Sequence, residues 1–199
     1  MNIAIYTLTS PLHDELAVNA VSNGFLRSIE DALGQSLDFC GSDFCDFGSH
    51  DLDLIYVRTG GTEGLFREVL PTITGNVFLL TSGKSNSLAA SMEILSYLNQ
   101  QGRKGEILHG TPEYIASRIS VLTKVSKARK VLKGQNLGII GQPSDWLISS
   151  DADPQKVNEA LGINLVNIDI QEFVSETEMT GQIVELAPAV TNNLQDTPP

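Results

Sequence analysis

Short apolar runs alternate along this chain with longer segments of helical periodicity. The candidate strands are residues 2–8, 37–39, 53–57, 77–80 and 106–108. Between them, apolar side chains recur at spacings of three and four residues over 18–33 and 88–98, which indicates helices packed on a sheet. Strands that alternate with helices are typical of βα units around a mostly parallel sheet. We therefore expect an α/β fold.

A longer helix is expected after the fifth strand, because Thr111 and Pro112 suit the N-cap and first helical positions. Its apolar pattern consists of Ile115, Ile119, Leu122, Val125 and Val131. Its basic residues are Lys124, Lys127, Arg129, Lys130 and Lys133. A solvated helix face is the simpler interpretation of these charges, and a binding patch is the alternative.

The pattern restarts after the Lys-Gly-Gln sequence at 133–135, with strands at 136–141 and 163–168 around a helix at 154–161. We expect a first α/β domain at 1–134 and the start of a second α/β unit at 135–190. The remaining residues, 191–199, have few apolar side chains to pack and are expected to form a frayed tail.

Charge and composition exclude several classes of partner. Lys+Arg 13 against Asp+Glu 24 gives a net charge of -11, which opposes binding to nucleic acids and to anionic membranes. The start, MNIAIYTLTS, lacks the basic region of a signal peptide, and no apolar run is long enough to span a membrane. Cys40 and Cys45 lack metal or redox spacing and are expected to be reduced structural thiols. A cytoplasmic protein is therefore expected.

Two loops between a strand and a helix carry the groups best suited to binding a ligand. In open α/β sheets, ligands bind beyond the carboxyl ends of the strands. In the first loop, RTGGTEG, paired glycines allow close backbone approach, Arg58 supplies donors and Thr62 could cap a helix. The alternative is a tight turn followed by a first-turn acid. Its candidate residues are Arg58, Gly60, Gly61, Thr62 and Glu63.

The second loop, TSGKSNS, offers hydroxyls, an amide and an ammonium group to a sugar or a phosphate. It is not a P-loop, because that motif requires glycine where Phe78 stands. A polar loop with Ser or Asn as helix N-cap is the alternative. Its candidate residues are Ser82, Lys84, Ser85, Asn86 and Ser87. The two loops could flank one crevice if their strands are neighbours.

A third loop, GQPSDW, holds the only tryptophan. Its candidates are Ser144, Asp145 and Trp146; Trp146 suits the apolar face of a sugar but suits an interface or a core edge equally well. Catalytic groups are sparse: His13, His50 and His109 are scattered without metal-ligand spacing, and structural roles are expected for them. The residues alone indicate a binding surface without assigned catalytic or metal-binding groups.

The segments VRTGGTEGLF, LLTSGKSNSLAASMEIL and IIGQPSDWLI, over about 53–150, resemble the amino-terminal portion of the L-fucose/L-arabinose isomerase-like family. The resemblance implies successive Rossmann-like α/β domains in an oligomeric enzyme. We therefore expect a Rossmann-like (flavodoxin-like), mostly parallel sheet flanked by helices, with a second incomplete or smaller α/β unit. It also implies that Mn²⁺, held by Glu, Asp and His of later domains, acts in the full enzyme.

These observations lead to two functional expectations. The first is a sugar isomerase-like protein of carbohydrate metabolism, with a homo-oligomer implied by the family, that corresponds to the amino-terminal part and does not turn over substrate alone. Aldose–ketose isomerisation needs a Lewis acid on adjacent oxygens and a base near carbon, which Glu63 alone does not supply. The alternative is a non-catalytic module that binds a sugar or sugar phosphate through the second loop.

Overall fold

The computed structural model describes residues 2–172. The chain divides into two compact units, Met1–Lys130 and Val131–Pro199. The strands are β1 (Ile3–Leu8), β2 (Asp38–Gly41), β3 (Leu52–Val57), β4 (Val77–Leu80), β5 (Gly105–Leu108), β6 (Asn136–Ile140) and β7 (Asn164–Ile168). The helices are α1 (Glu15–Leu33), α2 (Glu63–Val69), α3 (Ser87–Gln100), α4 (Pro112–Leu132) and α5 (Pro154–Leu161), with a 3-10 turn at Leu70–Thr72.

The first unit contains a five-stranded sheet in the order β2-β1-β3-β4-β5. Every pairing in this sheet is parallel. This is the flavodoxin-like order, in which the chain leaves β1 toward one edge and leaves β3 toward the other. The expected α/β class and parallel sheet are confirmed, and the switch in direction lies between β1 and β3.

Alternation along the strands divides the core into two layers. Ile3 and Ile5 of β1 pack with Ile29 of α1 and with the α4 residues Ile115 and Ile119. The intervening residues of β1 face the other layer, which contains apolar side chains of α2 and α3. Because successive side chains of a strand point to opposite faces, the sheet is covered on both sides, as a parallel sheet requires.

Helix α1 begins and ends at residues suited to those positions. The carboxylate of Asp14 accepts a hydrogen bond from the backbone N–H of Leu16. Gly34 ends the helix with φ +68°, a left-handed conformation that glycine adopts without strain, and donates to the carbonyl of Glu30. The residues at both ends of α1 therefore explain where the helix begins and ends.

Helix α4 has the predicted start, but its apolar pattern is divided between two faces. Thr111 Oγ1 accepts a hydrogen bond from the backbone N–H of Tyr114 at 3.3 Å. Ile115, Ile119 and Leu122 are buried, whereas Val125 and Val131 are exposed. Val125 and Val131 of the predicted apolar pattern therefore do not pack against the sheet.

The connection from β2 to β3, residues 42–51, crosses the sheet as a series of turns. Its Phe44 and Phe47 rings pack on Tyr6, with ring centroids 5.0 Å and 5.1 Å away. The Tyr6 hydroxyl is buried and has no oxygen or nitrogen partner in the part of the chain the structure describes; the weakly accepting Cys40 thiol is its neighbour. Burial, with smaller contributions from nearby acidic groups that include Cys40 and Asp53, raises the pKa of Tyr6 well above its usual range.

The second unit contains a parallel pair of strands, β6 and β7, in register from Asn136 with Asn164 to Ile140 with Ile168. Asp153 caps α5 by accepting from the backbone N–H groups of Gln155 and Lys156. Within 131–172, no residue reaches full burial. The expected smaller α/β unit is confirmed in this range; its predicted extension to 190 and the tail at 191–199 lie outside the described residues.

Two further features concern the described part of the chain as a whole. Cys40 and Cys45 are free thiols, as expected. Among residues 2–172, no helix has both the length and the apolar character needed to cross a membrane.

Candidate functional site

The carboxyl ends of β1, β3, β4 and β5 meet at one edge of the sheet, because these strands are parallel neighbours. Four loops continue from them, and we call these loops together the carboxyl rim. They are residues 9–14, 58–62, 81–86 and 109–111. Ligands of open α/β sheets bind at this edge, near the switch in strand order, which here lies between the first two loops.

Hydrogen bonds and close approaches connect adjacent loops of the rim. The backbone N–H of Ser10 donates to Thr59 Oγ1 at 3.0 Å, which joins the rim loop 9–14 to the rim loop 58–62. The backbone N–H of Gly60 donates to the carbonyl of Ser85 at 2.7 Å, which joins the rim loop 58–62 to the rim loop 81–86. The two loops selected from the sequence therefore lie side by side, as their neighbouring strands required.

Glycines allow these loops to approach closely. A Cβ on Gly60 would lie 3.0 Å from Cβ of Asn86, and a Cβ on Gly61 would lie 3.2 Å from Oγ of Ser10. Gly61 also has φ +71°, a conformation that disfavours other residues. Close packing of the loops thus explains both predicted glycines, Gly60 and Gly61. Their role toward a ligand stays a prediction.

Backbone strain is concentrated in the rim loop formed by residues 81–86. Ser85 and Asn86 have φ +51° and +60°, and they are the only non-glycine residues with positive φ among those described. The left-handed conformation costs a non-glycine residue roughly 1–2 kcal/mol. Strain of this kind is retained mainly at functional sites, where the surrounding structure holds it in place.

His109 lies in the rim loop 109–111, and its ring contacts the rim loop 81–86. Its Nδ1 lies 3.2 Å from the carbonyl oxygen of Thr81. Because a carbonyl only accepts hydrogen bonds, Nδ1 carries the hydrogen, and in the neutral ring Nε2 keeps a free lone pair. The side chain is exposed. Sequence reasoning assigned His109 a structural role, although its position directly after a strand end, in LHGTP, was the signal for the rim.

Arg58 occupies the rim but points into the protein. Its guanidinium donates to Ser22 Oγ at 3.0 Å, to Thr9 Oγ1 at 3.1 Å, to Glu15 Oε1 at 3.2 Å and to Asn19 Oδ1. Only 6% of the residue is exposed. Four of its five N–H groups donate internally, so Arg58 fixes α1 to the end of β3 and is largely used within the protein.

Thr62 and Ser87, two further residues predicted for the site, are also buried. Thr62 stands at the N-cap of α2 but makes no capping bond; its hydroxyl donates to the carbonyl of Thr59 at 3.1 Å. The Ser87 hydroxyl accepts from Thr81 Oγ1 at 2.7 Å. These hydroxyls stabilise the conformations of the rim loops 58–62 and 81–86. The capping role expected for the Thr62 side chain was wrong.

The remaining predicted groups of the first unit are accessible. Lys84, Ser85 and Asn86 are exposed, while Ser82 and Glu63 are half-buried. Asn86 is the N-cap of α3, but its side chain makes no capping bond there. The carbonyl, hydroxyl, amide and ammonium groups of this loop therefore supply both donors and acceptors to the surface of the rim.

The third predicted loop belongs to the second unit. Ser144 and Leu147 close a turn through a backbone hydrogen bond of 2.9 Å, and Trp146 is 80% exposed. Ser144 is half-buried and Asp145 is exposed. Their assignment to a ligand stays a prediction.

The rim does not supply a metal-binding set within residues 2–172, because no three His, Cys, Asp or Glu side chains there are placed around a common position. The Mn²⁺ that the resemblance implies, with ligands from later domains, stays a prediction. No family model matches the chain, and no curated protein matches it in sequence. The accessible polar groups of the rim can donate and accept hydrogen bonds.

Proposed function

We propose that this chain is a sugar isomerase-like protein that binds a small sugar at the carboxyl rim, and that it contributes binding without turning over substrate alone. The observation that carries the proposal is that the rim loop 81–86 contacts both neighbouring rim loops, 58–62 and 109–111. This loop is strained at Ser85 and Asn86, and its accessible groups are polar.

The chemistry of the accessible groups favours a sugar. Each sugar hydroxyl both donates and accepts a hydrogen bond, so its site needs mixed partners. Ser85 offers a hydroxyl, Asn86 an amide, and His109 the lone pair on Nε2. Backbone amides at the start of α3 add donors. In this proposal the protein's own donors and acceptors hold the sugar.

Titration calorimetry with a panel of aldoses and ketoses tests this proposal. We expect saturable binding of at least one sugar that persists in EDTA, and no interconversion of aldose and ketose with or without Mn²⁺. His109→Ala should weaken binding by roughly tenfold, consistent with loss of one or more hydrogen bonds in a partly desolvated site. Metal-dependent isomerisation by the chain alone would overturn the claim that it lacks turnover.

A sugar phosphate is the second candidate ligand, and the position of Lys84 favours it. Its ammonium group is exposed in the loop that precedes α3, and the positive end of a helix dipole attracts anions. Under this alternative, the phosphorylated sugar binds more tightly than the free sugar, and Lys84→Ala removes that difference. Equal affinity for both forms would leave the free sugar as the ligand.

A further inference from the structure

One exposed histidine of the carboxyl rim has its two ring nitrogens set to different tasks by the fold. His109 Nδ1 donates to the carbonyl of Thr81, so the neutral ring presents only the lone pair on Nε2 to solvent. An imidazole nitrogen with a free lone pair is a nucleophile, and histidine forms covalent intermediates in this way. Because the hydrogen bond fixes the ring to the end of a strand, the direction of this lone pair is set before a reactant arrives.

The other two histidines lack this combination. His13 is exposed, but its ring makes no hydrogen bond or ion pair within residues 2–172. His50 is oriented, with Nδ1 2.8 Å from Asp53 Oδ1, but only 15% of its side chain is exposed and its partner is a carboxylate. Of the three, His109 alone is both oriented by a neutral partner and accessible.

The loops around His109 favour an anion. The ring lies against Gly83, and the next residue, Lys84, is exposed and forms no ion pair in the part of the chain described. None of the rim loops after β3, β4 and β5 contains an acidic residue, although the chain has a net charge of -11. A phosphate group at the ring would therefore meet the ammonium group of Lys84 and no carboxylate from these loops.

Acidic residues lie at the starts of the helices that follow the rim. Glu113 is in the first turn of α4, where hydrogen bonds from its own backbone amide and from Thr111 lower the pKa of its carboxyl. Glu63 follows β3, which is two strands from β5 and thus roughly 10 Å away across the sheet. Asp14 and Glu15 follow β1, one strand farther. Glu113 is therefore the main acidic neighbour of the ring, and its carboxylate is already engaged at the helix start.

We propose that His109 Nε2 accepts a phosphoryl group from an acyl phosphate, with Lys84 contacting the phosphoryl oxygens. The Nε2 lone pair attacks phosphorus and forms an N–P bond, while the bond from phosphorus to the acyl oxygen breaks and the carboxylate leaves with that electron pair. Nδ1 keeps its hydrogen, and the Thr81 carbonyl that accepts it stabilises the cationic ring that results.

The class of donor follows from the product. A phosphorylated imidazole is itself a strong phosphoryl donor, so a simple phosphate ester is too weak a donor, and a mixed anhydride such as an acyl phosphate is strong enough. Because the step involves no sugar, its test does not depend on the proposed sugar binding.

Acetyl phosphate is the probe, and His13 is the matched control within the same chain. The full chain is incubated with the probe at neutral pH, and phosphorus NMR and peptide mass spectrometry, both without acid, locate the phosphoryl group. We expect His109 to be phosphorylated at Nε2 at least roughly tenfold faster than His13, as an oriented nucleophile beside a cation should be. Urea should abolish this preference, because it depends on the folded loops.

Two lysine variants test the charge beside the ring. Lys84→Gln should slow phosphorylation of His109 by roughly threefold or more, and Lys104→Gln, at an exposed lysine before β5, should leave it unchanged. An unchanged rate in Lys84→Gln would overturn the role of Lys84. Equal rates at His13 and His109, a preference that persists in urea, phosphorylation at Nδ1, or no phosphorylation of His109 would each overturn the proposal.

Discussion

The imidazole of His109 lies directly over Gly83. A Cβ at position 83 would lie 2.8 Å from Cε1 of the ring, closer than side chains tolerate, and Gly83 has φ +75°. The absence of a side chain at Gly83, in the rim loop 81–86, therefore determines where the His109 ring of the rim loop 109–111 lies. Together with the bond from Nδ1 to the Thr81 carbonyl, it determines where Nε2 is presented.

We predict that Gly83→Ala displaces the His109 ring and weakens sugar binding about as much as His109→Ala does. Unfolding in urea should show a loss of roughly 2–3 kcal/mol, from left-handed strain plus the steric conflict. Gly75→Ala is the matched control, because Gly75 has φ +74° but nothing within 4 Å of its added Cβ. It should show only the strain, about 1–2 kcal/mol.

The double variant separates the steric part of this effect. His109→Ala should restore about 1 kcal/mol of stability in the Gly83→Ala background, because the conflicting ring is then absent. Additive effects of the two substitutions would contradict the contact between Gly83 and His109.

Arg58 and Lys84 are predicted to have opposite phenotypes. Arg58→Ala leaves buried polar partners in α1 unpaired and should reduce the free energy of unfolding by about 2–3 kcal/mol. Lys84→Ala removes an exposed charge and should change it by less than about 0.5 kcal/mol. Urea titrations of both variants check the difference, and similar losses would contradict the structural role of Arg58.

Periodicity in the sequence predicted the order of strands and helices because burial on both faces of a parallel sheet leaves a clear pattern. The adjacency of the two glycine-containing loops followed conditionally, since it required β3 and β4 to be neighbours. Which polar side chains of the rim are accessible could not be predicted: Arg58 and Lys84 both lie in loops that follow strands, yet only Lys84 is exposed.

The position of His109 at the rim was not predicted, for a related physical reason. Its orientation depends on Gly83, which lies 26 positions earlier in the chain, and on a backbone carbonyl that has no signature in sequence. Val125 was likewise included in the apolar pattern of α4, although it is exposed, because its spacing of three residues from Leu122 also fits the buried face.

Tyr6→Phe is predicted to leave stability unchanged or raise it by up to about 1 kcal/mol, because the buried hydroxyl has no oxygen or nitrogen partner among the described residues and only the weakly accepting Cys40 thiol beside it. The raised pKa of Tyr6 means that the unfolded chain ionises first, near its ordinary value of 10.0. Stability contributed by the protonated form is present below that pH and is lost as pH rises above it. Tyr6→Phe should therefore show a shallower alkaline loss of stability.

Thermal melts between neutral pH and pH 11 check this expectation. Tyr114→Phe, at an exposed ring, is the control and should leave the neutral-pH stability unchanged. A loss of more than about 1 kcal/mol in Tyr6→Phe at neutral pH would indicate that the hydroxyl makes a bond of consequence.

A chain of residues 1–134 is predicted to fold by itself. Both core layers consist of residues between Ile3 and Leu122, so this truncation removes none of their members. Calorimetry should show one cooperative transition with a Tm within about 3 °C of the corresponding transition of the full chain, because a shift of 1 kcal/mol would move it by about 4 °C or more in a domain of this size. A broad transition, or loss of chemical-shift dispersion, would mean that residues beyond 134 support the core of the first unit.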